Sequence, residues 1–174
     1  MKKNIIVGQS GGPTAVINGS LYGVVSEGVK KTAQIGTVYG MVNGIEGFLQ
    51  GHYMDLGALD KTNELELVRT TPGAYLGSCR YKLPEDLHDP VYPELFRRFE
   101  ELDIGYFFYI GGNDSMDTVS KLSRYAGFMN STIRFIGVPK TIDNDLVETD
   151  HTPGYGSAAK YVATTVREIA IDAS

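Results

Sequence analysis

Three apolar runs in this chain of 174 residues each end in a polar, mostly glycine-rich loop, and each loop leads on to a helical pattern. Asn4–Val7 is followed by Gly8-Gln-Ser-Gly-Gly-Pro-Thr14, and Gly105–Ile110 by Gly111-Gly-Asn-Asp-Ser115. Arg134–Val138 runs into Pro139-Lys-Thr-Ile-Asp-Asn-Asp145. Strands alternating with helices predict an α/β fold, a doubly wound and mainly parallel sheet with helices on both faces. In such a sheet the carboxyl ends of the parallel strands share one edge, and ligands bind outside it. The three loops are therefore expected to line one cleft.

Each loop supports two readings on its own. The first opens a helix with Ile17, Leu21, Val24, Val25 and Val29 on one face. That arrangement aims backbone N–H groups and a helix dipole at a phosphate, but a tight strand-to-helix turn also needs glycine. The dinucleotide fingerprint G-x-G-x-x-G is absent. In the third loop a lysine, a threonine and two carboxylates fall within six residues of Pro139. These suit metal-phosphate chemistry with a base nearby, or a surface loop whose Asp and Asn make turns. A further glycine-punctuated segment, Thr71-Pro-Gly-Ala-Tyr-Leu-Gly-Ser-Cys-Arg80, ends in an arginine that can fork a phosphate or stand solvated. Cys79 beside it reads as an activated thiol or, more simply, as a buried passive cysteine.

The remaining segments fill in the alternation. Thr37–Val42 reads as the second strand, with Gln34 and Ile35 leading in, and Gly44–Leu49 as a short helix or turn. Gln50–Glu66 has no clear period, and Thr62 is a candidate helix cap there. Pro93–Leu102 reads as a helix with Pro in its first turn and Leu95, Phe99 and Leu102 on one face. The aromatics of Gly105–Ile110 suit a core better than a stacking platform. The helix after the second loop should turn Met116, Val119, Leu122 and Ala126 inward, and Asn130–Thr132 should be a loop. Thr152–Ser157 breaks into a last helix carrying Val162, Val166 and Ile169.

A net charge of −5 with no basic run argues against a nucleic-acid partner, so any phosphate must be held by local groups. With Cys79 alone there is no disulfide framework, and a reducing cytoplasm is the default. The N-terminal apolar run is too short for a signal peptide, and no membrane span follows. The loops supply one rim of a site without a facing wall. No helix stop signal precedes Ser174, so the chain is expected to be a fragment.

Together the loops resemble the phosphofructokinase family. Ser10-Gly11-Gly12 and Asn18 resemble its first phosphate loop, Gly77-Ser-Cys-Arg80 its Gly-Ser-x-Arg loop, and Gly111-Gly-Asn-Asp-Ser115 its second glycine loop. Pro139-Lys-Thr-Ile-Asp-Asn-Asp145 resembles its catalytic loop. The resemblance implies that residues 1–174 are the phosphoryl-donor, N-terminal domain of a two-domain chain, with most sugar-phosphate residues beyond Ser174. It implies that Asp143 is the base for the 1-hydroxyl of fructose 6-phosphate, with Thr141 and Ile142 beside the sugar. Gly11, Gly12, Gly111, Gly112, Ser115 and Arg80 would bind phosphate, and Asn113 and Asp145 would hold Mg²⁺.

Asn113 departs from the Asp of many members, leaving the metal to lean on Asp145 and the phosphates. Asp114 and Lys140 stand where ATP users resemble Gly-Gly-Asp-Gly-Ser and Pro-Gly-Thr-Ile-Asp, and they match the pyrophosphate users. A carboxylate at 114 repels a nucleotide's α-phosphate, and a lysine at 140 neutralises a short diphosphate. The alternatives are an ATP-dependent enzyme of the same family or a non-catalytic phosphate-sensing domain. A lipid or NAD kinase relative is disfavoured by Pro139–Asp145. The family also implies a homo-oligomer, dimer or tetramer.

Overall fold

A computed structural model describes residues 2–62 and 64–174. The apolar runs become strands of one five-stranded sheet: β1 (Lys3–Gln9), β2 (Ile35–Met41), β3 (Tyr53–Asp55), β4 (Ile104–Gly111) and β5 (Arg134–Pro139). Their order is β3-β2-β1-β4-β5. The β1–β2, β1–β4 and β4–β5 pairs are parallel, while β3 runs antiparallel along β2. That short edge strand comes from the stretch without a clear sequence period.

Among the described residues seven helices accompany the strands: α1 (Ile17–Lys30), α2 (Gly44–Leu49), α3 (Gly57–Lys61), α4 (Glu64–Thr70), α5 (Val91–Glu101), α6 (Asn113–Phe128) and α7 (Tyr155–Asp172). Alternation along β1 divides the interior in two, because successive side chains leave a strand on opposite faces. Ile6 packs with Phe107 and Tyr109 of β4, Phe48 of α2, Tyr92, Leu95 and Phe99 of α5, and Leu122 of α6. Ile5 and Val7 pack on the other side with Leu21 and Val25 of α1 and Leu65 and Val68 of α4. Full burial of each such side chain contributes about 1.5–3 kcal/mol. The aromatics of β4 are thus core, as their pattern predicts. The winding reverses between β1 and β4, so the loops after these two strands flank the switch point where open sheets bind ligands.

Several boundaries and faces depart from the sequence reading. β2 starts at Ile35, and α5 starts at Val91 with Pro93 still in its first turn. Thr62 follows the end of α3, where its hydroxyl donates to the Leu59 carbonyl at 3.3 Å. On α6, Met116 and Val119 are half-buried, while Ser115, Thr118, Lys121, Leu122, Tyr125 and Ala126 form the buried face. The last helix forms where expected, yet no residue of it is buried. Val162, Val166 and Ile169 are 57%, 60% and 62% exposed. The period put them on a common face, but no described element covers it. No helix among the described residues is long and apolar enough to cross a membrane.

Candidate functional site at the switch point

The first loop leaves β1 buried and turns at Gly11, whose φ of 76° is a left-handed conformation that glycine adopts without strain. It is stitched to the segment ending in Arg80. Gly11 N–H donates to the Cys79 carbonyl at 3.1 Å, and Ser10 Oγ donates to the same oxygen at 3.3 Å. Ser78 Oγ donates to the Gly11 carbonyl at 2.5 Å. Ser10 N–H in turn donates to the Ile110 carbonyl at 2.9 Å, which ties the first loop to the end of β4.

The second loop is shaped by a close approach. A Cβ on Gly111 would lie 1.9 Å from Ser115 Oγ and 2.9 Å from the Ser10 carbonyl oxygen, so the backbone passes where a side chain cannot. Gly112 caps α6 in an extended conformation. Ser115 and Met116 N–H return to the Gly112 carbonyl at 3.0 and 3.1 Å. The earlier amides of α6 lack intrahelical acceptors, as at any helix start, and attract an anion.

The third loop delivers Lys140 between the other two. Its N–H donates to the Gly111 carbonyl at 2.9 Å, and its Nζ donates to the Gly12 carbonyl. Lys140 is 7% exposed. Among the described residues no carboxylate pairs with it. Burial, and secondarily the nearby Arg80 charge, hold its pKa below the ordinary lysine value.

These loops line a cleft of about 270 Å³ formed by Ser10, Gly11, Gly12, Cys79, Arg80, Tyr81, Gly112, Asn113, Asp114, Ser115 and Lys140. The expected convergence is therefore present for Gly11, Gly12, Arg80, Gly112, Asn113, Asp114, Ser115 and Lys140. Gly111 shapes the wall from behind.

Thr141, Ile142, Asp143 and Asp145 form an outer rim rather than lining the cleft. Thr141 Oγ1 accepts the Asp143 N–H at 3.0 Å, and Ile142 is 52% exposed. Asn144, at φ 54°, accepts the Thr152 N–H at 2.9 Å and donates to the Asp150 carbonyl at 3.2 Å, closing the loop. Asp143 is exposed, and among the described residues its carboxylate accepts no protein hydrogen bond. Asn113 Nδ2 donates to Asp145 Oδ2 at 3.2 Å, joining the second loop to the rim.

One residue resolves differently from the sequence reading. Asn18, grouped with the first phosphate loop, is 1% exposed and holds neighbouring backbone. It donates to the Thr71 carbonyl at 2.8 Å and accepts from Gln9 Nε2 at 3.0 Å and Tyr75 N–H at 2.8 Å. Cys79 takes the passive reading: it is buried, with Sγ 3.6 Å from the Tyr109 hydroxyl. Burial pushes that phenol well above its ordinary pKa. Lys82 was not singled out in the sequence, yet its Nζ lies 3.2 Å from Asp114 Oδ1. Its placement two residues beyond Arg80 was the only available signal.

Fold and cleft together define an α/β protein with a glycine-walled cleft, carrying Arg80 and Lys140, at the switch point of a mainly parallel sheet. Comparison with known proteins narrows this class. The phosphofructokinase family model matches residues 4–174, and the chain belongs to that family. It is 46% identical over 171 residues to the pyrophosphate–fructose 6-phosphate 1-phosphotransferase of Rhodospirillum rubrum, covering 98% of this chain and 41% of that protein. Identity to the protein of the same name from Methylococcus capsulatus is 43% over 171 residues, with 98% and 40% covered. The crystal structure of the pyrophosphate-dependent phosphofructokinase of Nitrosospira multiformis superposes with a TM-score of 0.89 at 44% identity, over 98% of this chain and 42% of that one. The chain thus spans about two fifths of the length of these relatives.

Proposed function

We propose that this chain is the phosphoryl-donor domain, residues 1–174, of a longer two-domain phosphotransferase. The enzyme moves a phosphoryl group from pyrophosphate to the 1-hydroxyl of fructose 6-phosphate. The observation that carries the reading is Lys140: a buried ammonium, with Arg80 near and no carboxylate partner among the described residues, at the mouth of a helix N-terminus. An uncompensated buried cation is costly, and a bound diphosphate is the counter-charge that removes the cost. The acceptor is the one named for the relatives from Rhodospirillum rubrum and Methylococcus capsulatus.

In this reading Asp143 accepts the proton of the sugar hydroxyl as its oxygen attacks phosphorus, and inorganic phosphate leaves. A solvent-facing carboxylate with free lone pairs is available for that role. Arg80 and Lys140 neutralise charge on the transferring group and the leaving phosphate, while the backbone of Gly12 and Gly112 with Ser115 orients it. Gly11, expected to bind phosphate, shapes the loop instead, its N–H and carbonyl being engaged by Cys79 and Ser78. Thr141 and Ile142 face the sugar. The phosphoryl bonds broken and formed are similar in energy, so transfer is reversible.

Asp145 and Asn113 offer one carboxylate and one amide. No group of three metal-binding acidic, His or Cys side chains occurs among the described residues. So sparse a donor set fits Mg²⁺, which keeps its waters and takes phosphate oxygens as ligands. The bound ion would supply neutralisation of the diphosphate charge. Asp114 at the first turn of α6 disfavours a nucleotide's additional phosphate. The enzyme acts in the cytoplasm as a dimer or tetramer.

Calorimetric titration tests the donor assignment: the chain should bind pyrophosphate in the presence of Mg²⁺ and not ATP. Equal binding of ATP overturns it. In a chain extended to the relatives' length, Asp143→Asn should lower kcat by about 10²–10⁴ with pyrophosphate affinity kept, as loss of a general base does.

A further inference from the structure

One buried lysine has no part in the chemistry above. Lys121, two turns along α6 from the cleft, has a side chain only 5% exposed. Its Nζ donates to the Leu83 carbonyl at 3.0 Å and lies 2.5 Å from Glu85 Oε1 and 2.7 Å from Asp117 Oδ2. An ammonium has three donors, and all three are engaged. An apolar side chain would fill this face of α6 without removing a charge from water, so the lysine matters for what it grips.

Leu83 and Glu85 belong to the irregular segment that carries Arg80 and Lys82 past the cleft. With no strand partner, that segment depends on a few ties. Cys79 is tied to the first loop through its carbonyl, and the Pro84 carbonyl accepts the Tyr92 hydroxyl at 2.5 Å. Between these ties Cys79 and Leu83 are buried, whereas Arg80 and Lys82 are exposed. Lys82 meets Asp114 in the first turn of the same helix that carries Lys121. The segment is therefore joined to α6 twice: on the surface at Asp114 and in the interior at Lys121.

We infer that Lys121 is a positioning residue of the donor cleft: by latching Leu83 and Glu85 to α6, it holds Arg80 and Lys82 against the N-terminus of that helix. The latch itself stands on geometry, while its effect on pyrophosphate rests on the donor reading proposed above.

Two measurements on the 174-residue chain test it. Hydrogen exchange should quicken across residues 80–86 in Lys121→Met, by about tenfold for the loss of charge-assisted bonds, with β1 and β4 unchanged. Unchanged exchange there overturns the latch. Calorimetry should show pyrophosphate affinity falling about tenfold in Lys121→Met and largely restored in Lys121→Arg, which keeps the charge. A folded Lys121→Met with parental affinity overturns the positioning role. If Lys121→Met does not fold, the Glu85→Gln, Asp117→Asn double variant alters only exposed partners and should give the same two changes at smaller amplitude. Parental behaviour of that variant overturns the inference. A parent chain that takes up no pyrophosphate counts against the donor reading instead, and exchange across 80–86 then decides the latch alone.

Discussion

Lys140 carries a charge that its own surroundings do not balance, which separates its effect on stability from its effect on binding. Removing an unpaired buried charge relieves desolvation, so Lys140→Met should melt at or above the parental temperature while losing at least about tenfold in pyrophosphate affinity. Calorimetry and a thermal melt on the same samples check both halves; a large drop in melting temperature with affinity kept would contradict them.

The pH dependence follows from the lowered pKa. Between that depressed value and the ordinary 10.5, the unfolded chain binds more protons than the native one, so this residue's contribution to stability rises with pH across the window. Below the window the full desolvation cost is present. A bound diphosphate favours the charged amine, so binding within the window should take up a proton. The observed heat should then differ between two buffers of unlike ionisation enthalpy, and equal heats would show that Lys140 does not titrate on binding.

Among the elements, the strand-to-helix junctions carry the tightest requirements. Gly111 and Gly112 are adjacent, but only the first is packed against backbone. Alanine at 111 would place its Cβ against Ser115 Oγ and the Ser10 carbonyl, whereas at 112 the nearest atom would be 3.8 Å away. Gly111→Ala should cost about 1–3 kcal/mol as overpacking and melt roughly 2–4 °C lower per kcal/mol. Gly112→Ala should melt close to the parent. Equal melting temperatures for the two would mean that the loop relaxes around the added methyl. A run of two glycines marks the turn in the sequence, but which one is sterically obligatory depends on Ser10, a hundred residues away in the chain. Asn18 is a similar case. Its residue type suited a phosphate loop, yet its partners at Thr71 and Tyr75 make it an internal brace, and local sequence carries no sign of them.

Across the molecule, burial is uneven. β1 and β4 lie at the centre with residues of almost no exposure, whereas β5 is at most half-buried and α7 buries nothing. Opening of α7 therefore breaks few apolar contacts, and its amides should exchange far faster than those of β1 in the 174-residue chain. Comparable protection in the two would show that α7 is covered in solution, for instance by a second copy.

Periodicity placed Val162, Val166 and Ile169 on one face correctly but could not say whether anything lies against that face. The same limit explains Met116 and Val119, which share the inward period on α6 yet end half-exposed beside the edge strand. It also explains why Lys121, a residue type normally assigned to solvent, passes unnoticed: its burial depends on a loop nearly forty residues earlier.

The apolar runs, the glycines after them and the loop from Pro139 to Asp145 are local patterns, and local physics suffices to read strands, turns and a shared rim. That is why the sheet, the cleft and the family are legible in the sequence. Depth, partnership and coverage are properties of what the chain brings back from elsewhere. Only the folded protein shows that Lys140 is buried and that Asp143 stands outside the cleft, that Lys82 reaches Asp114, and that, among the described residues, Lys140 has no carboxylate partner and nothing covers α7. Each depends on a contact, or the lack of one, between residues far apart in sequence, which no window of neighbouring residues contains.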